Sequence, residues 1–142
     1  MAKIYAGLLA GLGQLPIVPP EAGQGVNSFV HVHRQVINYA SQPTTDTPVI
    51  ARIPAGHVVL GVELTADTSS GSATIAIGNA TTPAKYKAAA AFTTTDTPTM
   101  FMKASAADDA PLTADEEVLI TIAAAALPSS GILVTKVYTA KP

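Results

Sequence analysis

Cysteine and tryptophan are both missing from this 142-residue chain, and its aromatic content is three phenylalanines and four tyrosines. Without cysteine there is no disulfide framework, no thiol nucleophile and no cysteine-ligated zinc, and folding in a reducing cytoplasm is permitted. Charge is scarce too. Charged residues make up 13% of the chain, about half of the roughly 25% usual for soluble domains. A monomer wetted on all sides normally carries more, so the composition points to surface hidden against copies of the chain or a larger assembly. The net charge is −2 and the eight basic residues are scattered. They form no basic stripe with interleaved aromatics, which argues against nucleic-acid binding.

Long apolar runs are missing as well: none approaches the ~18 residues that cross a bilayer, so no membrane partner is expected. The start, MAKIYAGLLAGLG, has a lysine and a short apolar stretch, as a secretory signal would. Glycines interrupt it and no small-x-small cleavage site follows, so it reads as an arm instead. Nor is there a GxSxG, a GxGxxG after a strand, or a GxxxxGK[ST]. Catalysis therefore has no obvious seat, and no cofactor is expected. Asn79-Ala80-Thr81 is formally a glycosylation sequon but carries no weight without a signal peptide.

What is present is alternation and punctuation. Residues 1–28 hold five glycines together with Pro16, Pro19 and Pro20, a composition that suits an extended arm and forbids a helix interior. Period-two alternation over 29–39, 57–66 and 73–78, and short apolar runs after turn residues over 49–53, 99–103, 117–126 and 132–140, predict strands. The last two, joined by LPSSG, read as a hairpin with a five-residue loop. One helix is expected in TPAKYKAAAAF, where Thr82 can cap, Pro83 suits the first helical position and 88–91 is all alanine. The expected fold is all-β: an antiparallel β-sandwich or jelly-roll-like barrel (29–142) with one short helix and an extended N-terminal arm (1–28).

The pentapeptide TTDTP occurs twice, at 44–48 and 94–98. Threonine suits strand edges, aspartate bonds its own backbone in turns, and proline blocks pairing at a strand entrance. Asp46 and Asp96 lack the alternating Asp/Asn and Gly of a calcium loop, so both copies read as punctuation. His31 and His33 form a metal-like pair, since i and i+2 on a strand share a face. No carboxylate accompanies them, and the favoured reading is two half-exposed polar residues. His57 is the third histidine. The acidic pairs Asp108–Asp109 and Glu116–Glu117 read as solvated loop rather than as an acid/base pair. Thr113 to Glu116 has capping-box spacing, but the β-branched VLITI that follows makes it a turn into a strand.

From residue 53 onward the wording is similar to a known family. IPAGHVVLGVEL, GSATIAIGNATTPAKYKAAAAFTTTDTPTMF and PLTADEEVLITIAAAALPSSGILVTKVYTA resemble small virion proteins of tailed bacteriophages and prophages. The resemblance covers about residues 53–140 and is weaker in the first fifty. It implies a capsid decoration (cement) or minor capsid protein, a β-rich unit assembling as a homotrimer on the head lattice, with no catalytic residues to carry over. The expected partners are the major capsid protein and other copies of the chain. The expected location is the outer capsid surface of a virion, after synthesis in the bacterial host cytoplasm. In that role the arm would grip capsid subunits through its apolar residues Leu8, Leu9, Leu12, Ile17 and Val18. The alternatives are a tail or head–tail connector component, and a surface carbohydrate-binding module whose available aromatics would be Tyr5, Tyr39, Tyr86 and Tyr138.

Overall fold

The computed structural model of the chain describes residues 29–102 and 110–141. The expected arm, with Leu8, Leu9, Leu12, Ile17 and Val18, lies outside the described residues, as do Lys103 and the pair Asp108–Asp109. Eight strands follow one another: β1 (Val30–Asn38), β2 (Val49–Ile53), β3 (Val58–Ala66), β4 (Thr74–Gly78), β5 (Lys87–Ala90), β6 (Thr99–Phe101), β7 (Glu116–Ala123) and β8 (Ile132–Ala140). β2 and β8 have the bounds expected from the sequence; the other expected strands are present with shifted ends.

The strands form two four-stranded sheets, in the orders β1-β8-β3-β6 and β2-β7-β4-β5. Every pairing within them is antiparallel. The pairs β1–β8, β2–β7, β3–β6 and β4–β5 are nested, first strand with last and so inward. That is one long antiparallel ribbon wrapped around itself, the connectivity of a jelly roll.

The core lies between the inner faces. The first sheet supplies Val62, Leu64, Leu133, Thr135 and Val137; the second supplies Ile50, Ile53, Ile75, Ile77, Val118, Ile120 and Ile122, all essentially without solvent contact. These are mostly β-branched side chains, which fit a pleated surface, and each contributes about 1.5–3 kcal/mol by burial. With no tryptophan and few other aromatics, isoleucine and valine do the filling.

Two expectations are corrected here. No helix occurs among the described residues. In place of the expected one, residues 79–86 form a turn and Lys87–Ala90 is β5, paired with β4 through Ile75↔Ala90 and Ile77↔Lys87. The turn is fixed by Asn79, whose Oδ1 accepts from the amides of Thr81 and Thr82 at 3.1 and 2.6 Å, and by Tyr86 N donating to Ile77 O at 2.8 Å. Alanine's helical advantage over other ordinary residues is at most about 0.7 kcal/mol each. Burying the Tyr86 ring and Lys87 and covering the edge of β4 outweighs it.

The second correction concerns LPSSG. β7 and β8 are not a hairpin, because they belong to different sheets. The loop crosses from one layer to the other, with Leu127 buried beneath it. Its path is tied by Leu127 N to Gln42 O (3.0 Å), Ser41 N to Pro128 O (3.0 Å) and Tyr39 N to Gly131 O (2.8 Å).

Both TTDTP copies are turns before strands, as read. In the first, Asp46 N donates to Pro43 O at 3.1 Å; in the second, Asp96 N donates to Ala66 O at 2.7 Å.

Candidate interaction surface

Alternation along β1 sends Ile37 and His33 toward the interior and Val30, Val32, Arg34 and Val36 outward. The register with β8 carries that outward face to Ala140, Tyr138, Lys136, Val134 and Ile132, and thence to Gly61, Glu63 and Thr65 on β3. β6 completes it with Met100 opposite Glu63. Of the nine large apolar side chains most exposed among the described residues, seven belong to this face: Val30, Val32, Val36, Leu60, Met100, Met102 and Ile132, at 37–55% exposure. Leu60 is there because a bulge between Val59 and Gly61 inserts it as an extra residue. A Cβ on Gly61 would sit 3.0 Å from Met100 Sδ and 3.7 Å from Met102 Cγ, so the bare glycine lets both methionines lie close over β3. Phe29, 79% exposed, stands where β1 begins.

One polar row crosses the middle of this face: Arg34, Lys136 and Glu63, in register on β1, β8 and β3. Lys136 Nζ lies 2.5 Å from Glu63 Oε1, and Tyr138 Oη donates to Glu63 Oε2 at 2.9 Å. The bond from Lys136 is the main reason the Glu63 carboxyl is held below its usual range, and the same bond raises Lys136. Within the row Lys136 and Glu63 neutralise each other and Arg34 leaves a net charge of one, with apolar rows on both sides.

The outer face of the other sheet differs. It carries small or polar groups such as Thr74, Ala76 and Thr121, half-buried Leu119, and the exposed ion pair Arg52–Glu117 at 2.8 Å. Among the described residues the large exposed apolar side chains therefore gather mainly on one of the two faces.

Glu116 has a role that the sequence did not reveal. At the start of β7, its carboxylate accepts from Lys85 Nζ, Tyr86 Oη and, at 2.8 Å, Asn79 Nδ2. Burial pushes this carboxyl up, but the three hydrogen bonds together outweigh it and hold the carboxyl below its usual range. The Tyr86 phenol moves up, first through burial and then through Glu116. The cluster clamps β7 to the turn before β5. Every partner is internal, so it is a structural device, and the spacing of thirty residues between Tyr86 and Glu116 left no local signal.

His31 is brought beside His57, ring centroids 5.7 Å apart, rather than working with His33, whose Nε2 lies 3.5 Å from Thr139 Oγ1. Among the described residues no three His, Asp or Glu side chains converge so as to hold a metal ion. Tyr39 and Tyr86 are 4% and 2% exposed, so neither can serve as a stacking platform for a sugar.

An eight-stranded jelly roll with one apolar outer face is the class of protein that these observations define. No known protein family and no curated protein matches the sequence. Solved structures share the fold. A chain of the cyanophage Pam1 capsid asymmetric unit superposes with a TM-score of 0.62 at 23% identity, over 87% of this chain and 90% of that one. A chain of the acidic stable capsid of Helicobacter pylori bacteriophage KHP30 gives 0.54 at 13% identity, over 80% and 91%. A chain of the capsid of Ralstonia phage GP4 gives 0.53 at 14%, over 84% and 88%.

Proposed function

We propose that this chain is a non-enzymatic virion structural protein that decorates the outer surface of a bacteriophage capsid and stabilises it by bridging capsid subunits as a homotrimer. One observation carries the reading: the fold matches, over most of both chains, components of three phage capsids. The low charge and the one-sided apolar face suit a subunit built to be covered. Multivalent contact does the work: many copies, each gripping neighbouring subunits, raise the load the shell survives without any one contact being strong. The arm, 1–28, grips the capsid subunits through Leu8, Leu9, Leu12, Ile17 and Val18.

The test is co-sedimentation of the purified chain with empty shells assembled from the major capsid protein of the phage or prophage that encodes it. The full chain should pellet with the shells and raise the temperature at which they rupture. A variant lacking 1–28 should stay in the supernatant. A full chain that ignores the shells would remove the capsid reading, and retained binding by the truncated chain would remove the role of the arm. A ring of six or more copies in solution would move the assignment to a connector or tail component.

A further inference from the structure

We infer that the outer face of the β1-β8-β3-β6 sheet, through Val32, Val36, Leu60, Met100, Met102 and Ile132, is where a second copy of this chain docks. The inference deepens the self-association part of the proposed function and is independent of the capsid part.

Size is the first argument. Seven large side chains at 37–55% exposure present on the order of 500 Å² of surface, gathered on one face on both sides of the polar row and comparable in total to the largest apolar patch on a typical monomer. With half-buried Val134 and Tyr138 and the rim added, the face approaches the ~800 Å² that each partner gives to a standard interface.

Charge is the second. The row across the centre holds two cations, Arg34 and Lys136, and one anion, Glu63, with Lys136 and Glu63 bonded to each other. A partner with strong charge of either sign finds little to pair with. The face keeps a net charge of one, on Arg34, so a second copy is not strongly repelled and the apolar rows carry the contact.

Geometry is the third. A closed three-fold set needs a face to meet a different surface of the next copy. β1 borders the apolar face and is also a sheet edge, nine residues long, with backbone partners on only one side among the described residues. Such an edge invites cover, and Phe29 at its start, 79% exposed, supplies an aromatic anchor. Face and edge lie together, so each copy can offer its edge to one neighbour and its face to another.

Light scattering on a size-exclusion column over a range of concentrations tests this with the full chain. The native mass should be that of several chains. Val32→Glu combined with Met102→Glu should weaken association by about a hundredfold or more while leaving the far-UV circular dichroism and the melting curve of a folded β protein. Thr81→Glu, in the exposed turn after β4, should leave the mass unchanged. Should the double variant not fold, the native chain's lack of cysteine offers a second route: Phe29→Cys with Met102→Cys, one on the edge and one on the face, should be joined between copies by a short bismaleimide, and Phe29→Cys with Thr81→Cys should not. A native mass of one chain at every concentration overturns the inference, as does a folded double variant of undiminished mass. It is also overturned if removing 1–28 alone disperses the oligomer, because the arm would then make the contact. Failure of the native oligomer to bind shells would sink the capsid reading and leave this one standing.

Discussion

Lys87 Nζ donates to the carbonyl of Ile75 at 2.6 Å while standing 5.1 Å from the centroid of the Phe101 ring. Ile75 is on β4 in one sheet and Phe101 on β6 in the other, so one buried ammonium holds the two layers together where both end. It also donates to the carbonyls of Ala88 and Ala90 at 3.2 Å. Burial pushes its pKa down, and the ring of carbonyls with an aromatic face is what makes a buried cation tolerable.

Removing that ammonium should be costly in two separable ways. Lys87→Met keeps the apolar stem and loses the hydrogen bonds, for about 1–2 kcal/mol. Lys87→Ala also opens a cavity and should cost about 2–4 kcal/mol. Urea midpoints of the two variants against the native chain measure both; equal midpoints for Lys87→Met and the native chain would show that the carbonyl contacts contribute nothing.

Glu116 predicts a pH dependence with a definite sign. Its carboxyl is held below the ordinary range in the folded chain, while in the unfolded chain it returns to about 4.3. Between those values the unfolded state binds more protons. The stabilisation is therefore complete above the ordinary value and is lost as pH falls through the folded one. Glu116→Gln should cost about 1–3 kcal/mol at pH 7, and the difference from the native chain should shrink on acidification below about pH 4. Denaturation midpoints from pH 7 to pH 3 test this, and a constant difference across that range would contradict it.

Strand β8 was legible to the residue because alternation between core and solvent is written locally, in ILVTKVYTA, and β2 because VIARI is a short apolar run bounded by prolines, though a bulge breaks its alternation. The jelly roll was open only as one of two all-β options. Which sheet a strand joins is decided by contacts between distant segments, such as β1 with β8. For the same reason LPSSG read as a hairpin loop, since five residues can turn a chain back or carry it across a sandwich. The alanines at 88–91 favoured a helix by propensity, and the pairing of Lys87–Ala90 with β4, invisible locally, overrode it. The candidate surface was half-written: both faces of β1 carry apolar residues, Phe29, Ile37 and Tyr39 on one and Val30, Val32 and Val36 on the other. Only the structure decides that the valines face out.

Gly78 is a position where any side chain must fail. A Cβ there would lie 2.0 Å from the carbonyl oxygen of Thr82 and 2.6 Å from the carbonyl carbon of Pro83. Both are backbone atoms and cannot swing aside. Gly78→Ala should displace the turn over residues 79–86, and with it the Glu116 cluster, costing more than about 3 kcal/mol. A thermal melt should show this as a large drop or as loss of the folded protein, whereas Gly71→Ala, where a Cβ meets nothing within 4 Å, should cost far less, limited to the strain of its φ of 65°. Similar melts for the two would mean that the turn can reopen around a methyl group.

The two copies of TTDTP should separate under the same substitution. Asp96 has a φ of 51°, in the left-handed region, and Asp46 does not. A β-branched residue in that region is strained, by about 1–2 kcal/mol, and glycine is not. Asp96→Val should therefore destabilise by about that amount and Asp96→Gly by little or nothing. Asp46→Val, at an exposed turn residue, should stay within about 0.5 kcal/mol of the native chain. Denaturant midpoints of the three variants decide it. If Asp96→Gly were as damaging as Asp96→Val, the carboxylate of Asp96 would itself be needed, and the second pentapeptide would be more than a turn.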